Sequence, residues 1–235
     1  MTIRDNIAHV RDRIEQACRR CGRDPHSVRL LPVSKVHPTS AILEAYKCGV
    51  THFGENRVQE VVAKSSELPP ESGITFAVIG HLQTNKAGKV VQYATEFQAL
   101  DSMRIAEALE RRCQQASKGL DVMIEVNSSG EESKFGLPPE QVVDFARRLS
   151  SFDALNPIGL MTVAAYSSDR DRVGRCFNIM KDVQRALRDE GIGGHSWDEL
   201  SMGMTNDYEM AIEYGSTCIR VGTAIFGKRA YDIFH

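Results

Sequence analysis

The sequence has no long hydrophobic run and no excess of charge of either sign. Among its 235 residues, 29 Lys and Arg stand against 31 Asp and Glu, and these charges are interspersed along the chain. This pattern argues against the basic stripe that nucleic acid requires and the polybasic patch that a membrane surface attracts. No window approaches the length of a membrane span, and the first twenty residues carry charges every few positions. We expect a cytoplasmic protein that binds neither nucleic acid nor membrane.

The sequence also lacks a cysteine pattern typical of a metal or disulfide site. Cys18 and Cys21 form a Cys-x-x-Cys pair, but no second pair and no nearby histidine pair completes a zinc site. A redox dithiol is expected at the start of a helix, whereas this pair lies at the end of an amphipathic one. We interpret the six cysteines as plain thiols in a reducing compartment.

Short apolar runs alternate with longer segments of helical periodicity, which is typical of β-α units. The chain opens with a predicted helix that has a capping-box pattern at Thr2 and Asp5 and ends at Gly22. Eight such units without a proline- or glycine-rich linker favour one (β/α)₈ barrel domain over residues 1–235, with an open doubly wound sheet as the alternative. The predicted strands lie at 28–34, 50–53, 74–79, 96–100, 120–126, 157–161, 197–201 and 217–221.

Pro32 lies inside the first predicted strand, where a proline removes a hydrogen bond of the ladder. We therefore expect a bulge or an early strand end at this position.

Polar or glycine residues follow most of the apolar runs, where a barrel of this kind places its active-site groups. Gly222 and Thr223 stand at the turn from strand eight into a helix, whose N–H groups and dipole favour a phosphate. Ser201 and Gly203 end strand seven beside this turn, and phosphate sites after strands seven and eight recur in this architecture. The sequence therefore predicts an anion site formed by these four residues.

Lys35 follows the apolar run of strand one. A lysine at a strand end ordinarily points into water, and that interpretation stays open on the residues alone. Beside an anion site, however, a lysine in a partly buried mouth suits an aldehyde phosphate held as a Schiff base, and that ligand is pyridoxal phosphate. Lys86, Lys89 and Lys134 lie in loops or helices and lack the apolar approach.

Seven motifs, from about residue 3 to 230, resemble those of the pyridoxal phosphate homeostasis protein family in order and spacing. They are "VSKVHP", "HFGENRVQE", "IGHLQTNK", "IEVNSSGEESKFG", "GLMTV", "LSMGMTNDYEMAI" and "GSTCIRVGTAIFG". The resemblance implies a single (β/α)₈ barrel similar to the N-terminal domain of alanine racemase. It also implies that pyridoxal 5′-phosphate is the cofactor and that Lys35 carries it.

The resemblance implies roles for further residues as well. Arg220 matches the arginine that faces the pyridine nitrogen, Asn56 in "FGEN" lies near the cofactor, and Met161 in "GLM" makes an apolar contact. The positions that match the phosphate ligands are Ser201, Gly222 and Thr223.

The Arg220 assignment bears on activity, because a guanidinium stays charged and cannot accept a proton. It would hold the ring nitrogen unprotonated and weaken the cofactor as an electron sink. Racemases of this fold add a tyrosine base from a separate C-terminal β-domain, whereas this chain ends at His235, after strand eight and its helix. We expect a non-catalytic protein that binds pyridoxal phosphate reversibly and buffers it or delivers it to client enzymes.

Two alternatives stay open. One is a pyridoxal phosphate-dependent amino-acid racemase or decarboxylase with His81 or a tyrosine as base. The other is a phosphate-binding barrel enzyme without a Schiff base, in which Lys35 acts electrostatically. The sequence does not decide whether the cofactor is handed over by contact or released, or whether Lys134 forms a second, weaker Schiff base. No long apolar stripe demands a partner, so we expect a monomer.

Overall fold

The structure, a computed structural model, describes residues 2–227. Its strands are β1 (Arg29–Pro32), β2 (His52–Glu55), β3 (Thr75–Val78), β4 (Glu96–Leu100), β5 (Leu120–Glu125), β6 (Leu155–Met161), β7 (Glu199–Ser201) and β8 (Cys218–Val221). Its helices are α1 (Ile3–Arg20), α2 (Thr39–Tyr46), α3 (Val58–Glu67), α4 (Ala87–Tyr93), α5 (Met103–Ala116), α6 (Val142–Leu149), α7 (Arg170–Asp189), α8 (Tyr208–Glu213) and α9 (Thr223–Phe226). The ends of the predicted domain, Met1 and residues 228–235, lie outside the described residues.

The strands form one parallel sheet in the order β1-β8-β7-β6-β5-β4-β3-β2. Its two edges meet just beyond β1, where Val33 forms a parallel bridge with Gly54 and the N–H of Ser34 donates to the Gly54 carbonyl at 3.1 Å. The sheet is thus a nearly closed barrel, and the helices that follow the strands cover it. The predicted (β/α)₈ barrel is confirmed, and the open doubly wound sheet is not what the chain forms.

Every predicted strand is present, with ends shifted by a few residues. β1 stops at Pro32, so the early strand end expected there is confirmed. A bulge does occur elsewhere, between β5 and β6, where the pairing register shifts after Val122 and Pro157. A proline has no N–H for the ladder, which accounts for the interruptions at Pro32 and Pro157 but not for a further register shift between β4 and β5, at Phe97 and Leu100.

Helix α1 precedes the barrel and packs against α2, α8 and α9. Its start has the predicted capping box, in which the Thr2 side chain accepts from the Asp5 N–H and the Asp5 side chain accepts from the Thr2 N–H. After it the chain turns at Gly22, whose φ of 69° is the left-handed conformation that favours glycine. The buried face of α1 is Ile7, Val10, Ile14, Ala17 and Cys18.

Within residues 2–227, none of the helices is both long and apolar enough to cross a membrane. In the same part of the chain, no group of three or more His, Cys, Asp or Glu side chains is placed to hold a metal ion. The six cysteines are free thiols.

Candidate functional site

A cavity of about 420 Å³ opens at the carboxyl ends of the strands. Residues that follow seven of the strands line it, because the carboxyl ends of parallel strands meet at one end of a barrel. The lining consists of Val33, Lys35, Asn56, Ile79, Lys134, residues 163–166, residues 204–207, Arg220, Gly222 and Thr223. This volume lies within the range of pockets that bind small molecules, about 300–1,000 Å³.

The cavity brings together five of the eight residues proposed from the sequence. These are Lys35, Asn56, Arg220, Gly222 and Thr223. Met161, Ser201 and Gly203 do not line it. The role of each of the eight in cofactor binding stays a prediction.

The three residues outside the lining lie beneath it, and two of them, Ser201 and Gly203, contact Arg220 of the lining. The hydroxyl of Ser201 is fully buried and bonds within the barrel, to Gln98 and to Arg220. Met161 is buried at the end of β6. Gly203 has a φ of 97°, and its carbonyl accepts from the N–H of Arg220 at 2.9 Å. These contacts position neighbouring groups.

Lys35 lies in a tight turn that directly follows β1. The next residue, Val36, has a φ of 60°, which is unusual for a β-branched side chain. The N–H of Val36 donates to a carboxylate oxygen of Glu60 at 2.6 Å, and the N–H of His37 donates to the Ser34 carbonyl at 3.0 Å. Strained backbone of this kind persists where its surroundings hold it, and it clusters at functional sites.

Three charged side chains from β2 and α3 hold this turn from below. Lys64 is buried and donates to the Ser34 carbonyl at 2.8 Å and to Glu55 at 2.6 Å. It also bonds to Glu60 at 3.2 Å, and the Ser34 hydroxyl donates to Glu55 at 2.6 Å. Both residues that flank Lys35 are therefore tied to one ionic network.

Glu55 is the least solvated member of this network. It is fully buried, and its Oε2 atom has no hydrogen-bond partner among residues 2–227. Burial raises the pKa of this carboxyl, while the hydrogen bonds from Lys64 and Ser34 oppose the shift. Removal of Lys64 would leave this carboxyl buried without a cation, so the network depends on both partners.

Arg220 lies on β8 at the floor of the cavity. Its side chain is almost fully buried, and it donates to the Ser201 hydroxyl at 2.7 Å and to the Thr162 carbonyl at 2.6 Å. Burial lowers the pKa of the guanidinium, but an arginine side chain stays protonated in a protein. The floor therefore carries a fixed positive charge.

The lining carries more positive than negative charge, with Lys35, Lys134 and Arg220 against Asp207. Lys134 donates to the Ala164 carbonyl at 2.8 Å. Burial raises the pKa of Asp207, and its carboxylate accepts from the N–H of Met204 at 2.6 Å. The cavity thus favours an anion, and the first-turn N–H groups of α9, at Gly222 and Thr223, add further donors.

The family model "Alanine racemase, N-terminal domain" matches residues 5–230. A pyridoxal phosphate homeostasis protein of Vibrio alginolyticus is 40% identical over 234 residues, which cover 98% of this chain and 99% of the relative. The chain belongs to the pyridoxal phosphate homeostasis protein family.

Solved structures agree with this assignment. PipY of Synechococcus elongatus PCC7942, determined with pyridoxal phosphate bound, has a TM-score of 0.84 at 33% identity, over 96% of this chain and 100% of PipY. An alanine racemase of Clostridium difficile 630 has a TM-score of 0.77 at 13% identity, over 97% of this chain and 57% of the racemase. The racemase match shows a shared fold alone. PipY and an alanine racemase thus share this barrel.

The bases considered for an enzyme of this family differ in where they lie. His81 does not line the cavity; its ring stacks on Phe135 with 4.2 Å between centroids, and its Nδ1 lies 3.5 Å from Asp101. The tyrosine in the lining is Tyr166, which is 89% exposed. A side chain so exposed is not held in one orientation towards the cavity.

Sequence reasoning missed several residues of the site. Lys134 was set aside as a loop lysine, yet the loop after β5 folds back and brings it to the cavity. Residues 205–207, the "TND" that follows "LSMGM", were present in a quoted motif but were given no role. The Glu55, Glu60 and Lys64 network had no sequence signal, because helical and strand spacing does not reveal which charges meet.

Proposed function

We propose that this chain binds pyridoxal 5′-phosphate reversibly, as a Schiff base on Lys35, and buffers or delivers it inside the cell. The observation that carries the proposal is the shared cavity, in which the Lys35 amine stands with the buried Arg220 and the Gly222–Thr223 turn. Two comparisons support it: the relatives named for pyridoxal phosphate homeostasis, and PipY with pyridoxal phosphate bound.

The donor set fits this cofactor group by group. An aldehyde needs an amine, which Lys35 supplies. A phosphate dianion needs cations and N–H donors, which Lys134 and the Gly222–Thr223 turn supply. An unprotonated pyridine nitrogen accepts a hydrogen bond, and Arg220 has only donors to offer. When bound, pyridoxal phosphate supplies a reactive aldehyde joined to an electron-withdrawing ring.

The residues of the chain perform distinct tasks in this proposal. The turn held by Glu60 and Lys64 fixes the backbone on both sides of Lys35, so that its amine is presented to the cavity. Arg220 keeps a positive charge against the ring nitrogen and so disfavours its protonation. An electron sink weakened in this way favours binding over carbanion chemistry.

The same reasoning favours a carrier over an enzyme. His81 lies outside the cavity lining and Tyr166 is exposed, so neither is positioned as a base. We accordingly propose a carrier that supplies client pyridoxal phosphate-dependent enzymes. We also propose that it is a monomer and that it acts in the cytoplasm. Its reactive aldehyde would be kept from other amines while it is bound.

Absorbance spectroscopy tests the proposal. Titration with pyridoxal phosphate should give a visible band that bleaches with borohydride. Lys35→Ala should abolish the band and leave the far-UV circular dichroism unchanged. Lys181→Ala, an exposed lysine of α7 outside the cavity lining, is the matched control and should behave as the wild type. A full band in Lys35→Ala would refute the assignment.

A further inference from the structure

A row of polar side chains crosses the interior of the barrel beneath the cavity. It begins at Glu96, the first residue of β4, continues through Gln98 on the same strand and Ser201 on β7, and ends at Arg220 on β8. All four are at least nine-tenths buried. The row is continuous, with distances of 2.6 Å from Gln98 Nε2 to Glu96, 2.7 Å from Ser201 Oγ to Gln98 Oε1, and 2.7 Å from Arg220 to Ser201 Oγ.

Each bond in the row has a direction that the chemistry of its members requires. An ionised carboxylate only accepts, so Glu96 must receive the N–H of the Gln98 amide. The amide then turns its carbonyl oxygen to Ser201, whose single hydroxyl proton it accepts. The lone pairs of Ser201 are left for Arg220, which only donates.

Hydrogen-bond donors at the end of the barrel opposite the cavity keep Glu96 ionised. It accepts from Arg29 at 2.9 Å and lies 3.1 Å from His52 Nε2. Burial opposes its ionisation, but the hydrogen bonds from His52 and Arg29 outweigh burial and lower its pKa to about 2. Glu96 is therefore ionised at neutral pH, and the direction of the row is set at its start.

A second anchor fixes the plane of the guanidinium. Arg220 donates from one terminal nitrogen to Ser201 and from the other to the Thr162 carbonyl at 2.6 Å. Two contacts on different nitrogens define the orientation of a planar group, whereas one would leave it free to rotate. The Ser201 contact depends on the row behind it.

The polar row also has a cost that an apolar interior would avoid. Barrels of this class fill their interiors mainly with branched apolar side chains, and a buried polar group is tolerated only when its bonds are satisfied. In this row every hydrogen bond has a fixed direction, and the row ends at the floor of the cavity. This arrangement indicates that the row serves a function at the cavity.

We propose that Glu96 and Gln98 are positioning residues for Arg220 and act through the Ser201 hydroxyl to set which edge of the guanidinium faces the cavity. Ser201, assigned to the phosphate from its place in the sequence, would then serve the pyridine end of the site. The consequence for the cofactor rests on the proposed function, whereas the orientation of Arg220 does not.

The first measurement uses the ligand-free protein. With ¹⁵N-labelled arginine, a guanidinium held at both terminal nitrogens gives two separate Nη signals, which Arg220→Lys identifies by their loss. In Gln98→Leu, Ser201 loses the acceptor that orients its hydroxyl, so the Nη signals of Arg220 should broaden and merge. The dissociation constant of pyridoxal phosphate should rise about tenfold, the size expected when a hydrogen bond to a charged group is lost.

Glu199→Gln is the matched control. Glu199 also accepts from Arg29, at 3.5 Å, and from Thr217, but it has no hydrogen bond to Gln98. This substitution perturbs the same end of the barrel and leaves the row intact. Both readouts should stay at their wild-type values.

Gln98→Glu separates positioning from packing, because its volume is nearly that of glutamine. A protonated carboxyl offers one O–H donor and one carbonyl acceptor and so reproduces the amide. Glu96, Arg220 and the Cys218 thiol, 3.9 Å from the Gln98 amide nitrogen, surround this position, so the wild type is measured across the same pH range. At high pH the ionised side chain of the variant cannot donate to Glu96 and is repelled by its carboxylate, so it should move out of the row and release Ser201. The variant should therefore give separate Nη signals at low pH and merged signals at high pH, reversibly.

The outcomes are distinct. Separate Nη signals and unchanged affinity in Gln98→Leu would overturn the proposal, as would equal effects in Glu199→Gln. Merged signals with unchanged affinity would overturn the link to the cofactor. If the wild type failed to bind pyridoxal phosphate, the proposed function would fall, while the NMR result would still decide the orientation of Arg220. A Gln98→Leu chain that does not fold leaves the decision to the pH response of Gln98→Glu.

Discussion

The N–H of Val36 donates a 2.6 Å hydrogen bond to the carboxylate of Glu60, one residue beyond the lysine that lines the cavity. Val36 has the left-handed backbone that a β-branched residue rarely adopts. The carboxylate therefore compensates a strained turn at the point where the backbone must present Lys35. This relationship links α3 to the cavity, although Glu60 itself is not among the lining residues.

Glu60→Ala tests that link. Without the carboxylate the turn should relax, and the dissociation constant of pyridoxal phosphate should rise about tenfold, since a hydrogen bond to a charged group is lost. Isothermal titration calorimetry measures the change. Glu44→Ala removes an exposed carboxylate from α2 and should leave affinity at the wild-type value. Equal affinities for Glu60→Ala and the wild type would show that the turn does not need this bond.

Glu125 is buried at the end of β5, and its ionisation should lower the stability of the folded protein as the pH rises. Burial and the nearby Asp101 raise its pKa to about 7, and Arg220 only partly offsets them. The unfolded value is lower, so between the two values the folded state binds more protons and stability falls with rising pH. The integrated loss is at most about 3 kcal/mol. Glu125→Gln should therefore be more stable than the wild type at pH 8, with the gain shrinking as the pH is lowered towards 4.

Urea unfolding at the two pH values measures this difference. Glu96 has the opposite pH dependence, because its pKa in the folded protein is lowered to about 2. Its contribution to the free energy of unfolding is full above the pKa of the unfolded chain and is lost as the pH falls towards 2. Glu96→Gln should be less stable than the wild type at neutral pH. A Glu125→Gln gain that is the same at both pH values would contradict the ionisation argument.

The phosphate should dominate non-covalent affinity. Charge-assisted hydrogen bonds are about twice as strong as neutral ones, and the lining offers Lys134 and the Gly222–Thr223 turn for them. Pyridoxal, which lacks the phosphate, should bind at least about tenfold more weakly than pyridoxal phosphate. Parallel titrations compare the two vitamers. Equal dissociation constants would remove the basis for an anion site.

Exchange of the α-hydrogen of alanine separates a carrier from an enzyme. We propose that Arg220 keeps the ring nitrogen unprotonated, and neither His81 nor Tyr166 is positioned as a base, so the loaded protein should exchange the α-hydrogen of alanine very slowly in deuterium oxide. Proton NMR follows the exchange, with free pyridoxal phosphate as the reference. Exchange at about 1 per second or faster, a rate typical of enzymes, would contradict the carrier and favour the enzyme alternative.

The barrel was predictable because apolar runs and helical periodicity report directly on strand and helix. The position of Lys35 and of the Gly222–Thr223 turn followed from the rule that strand ends meet. Ser201 shows the limit of that rule: it ends its strand as predicted, yet its hydroxyl is buried beneath the cavity and bonds to Gln98 and Arg220.

Long-range contacts account for the rest. Lys64 lies on α3 and looked like any helical lysine, but the packing of α3 on β2 buries it against Glu55 and Ser34. Lys134 reaches the cavity only because the loop after β5 returns to it. Neither contact leaves a local pattern in the sequence, so both required the structure.

Borohydride reduction of the loaded protein, followed by peptide mapping, tests the central claim most directly. Reduction converts a Schiff base into a stable secondary amine, so mass spectrometry locates the lysine that carried the cofactor. We predict one pyridoxyl phosphate group for each chain, on the peptide that contains Lys35, and only a minor fraction on Lys134. Equal or greater labelling of Lys134, or a chain that binds the cofactor and remains unlabelled, would contradict the assignment.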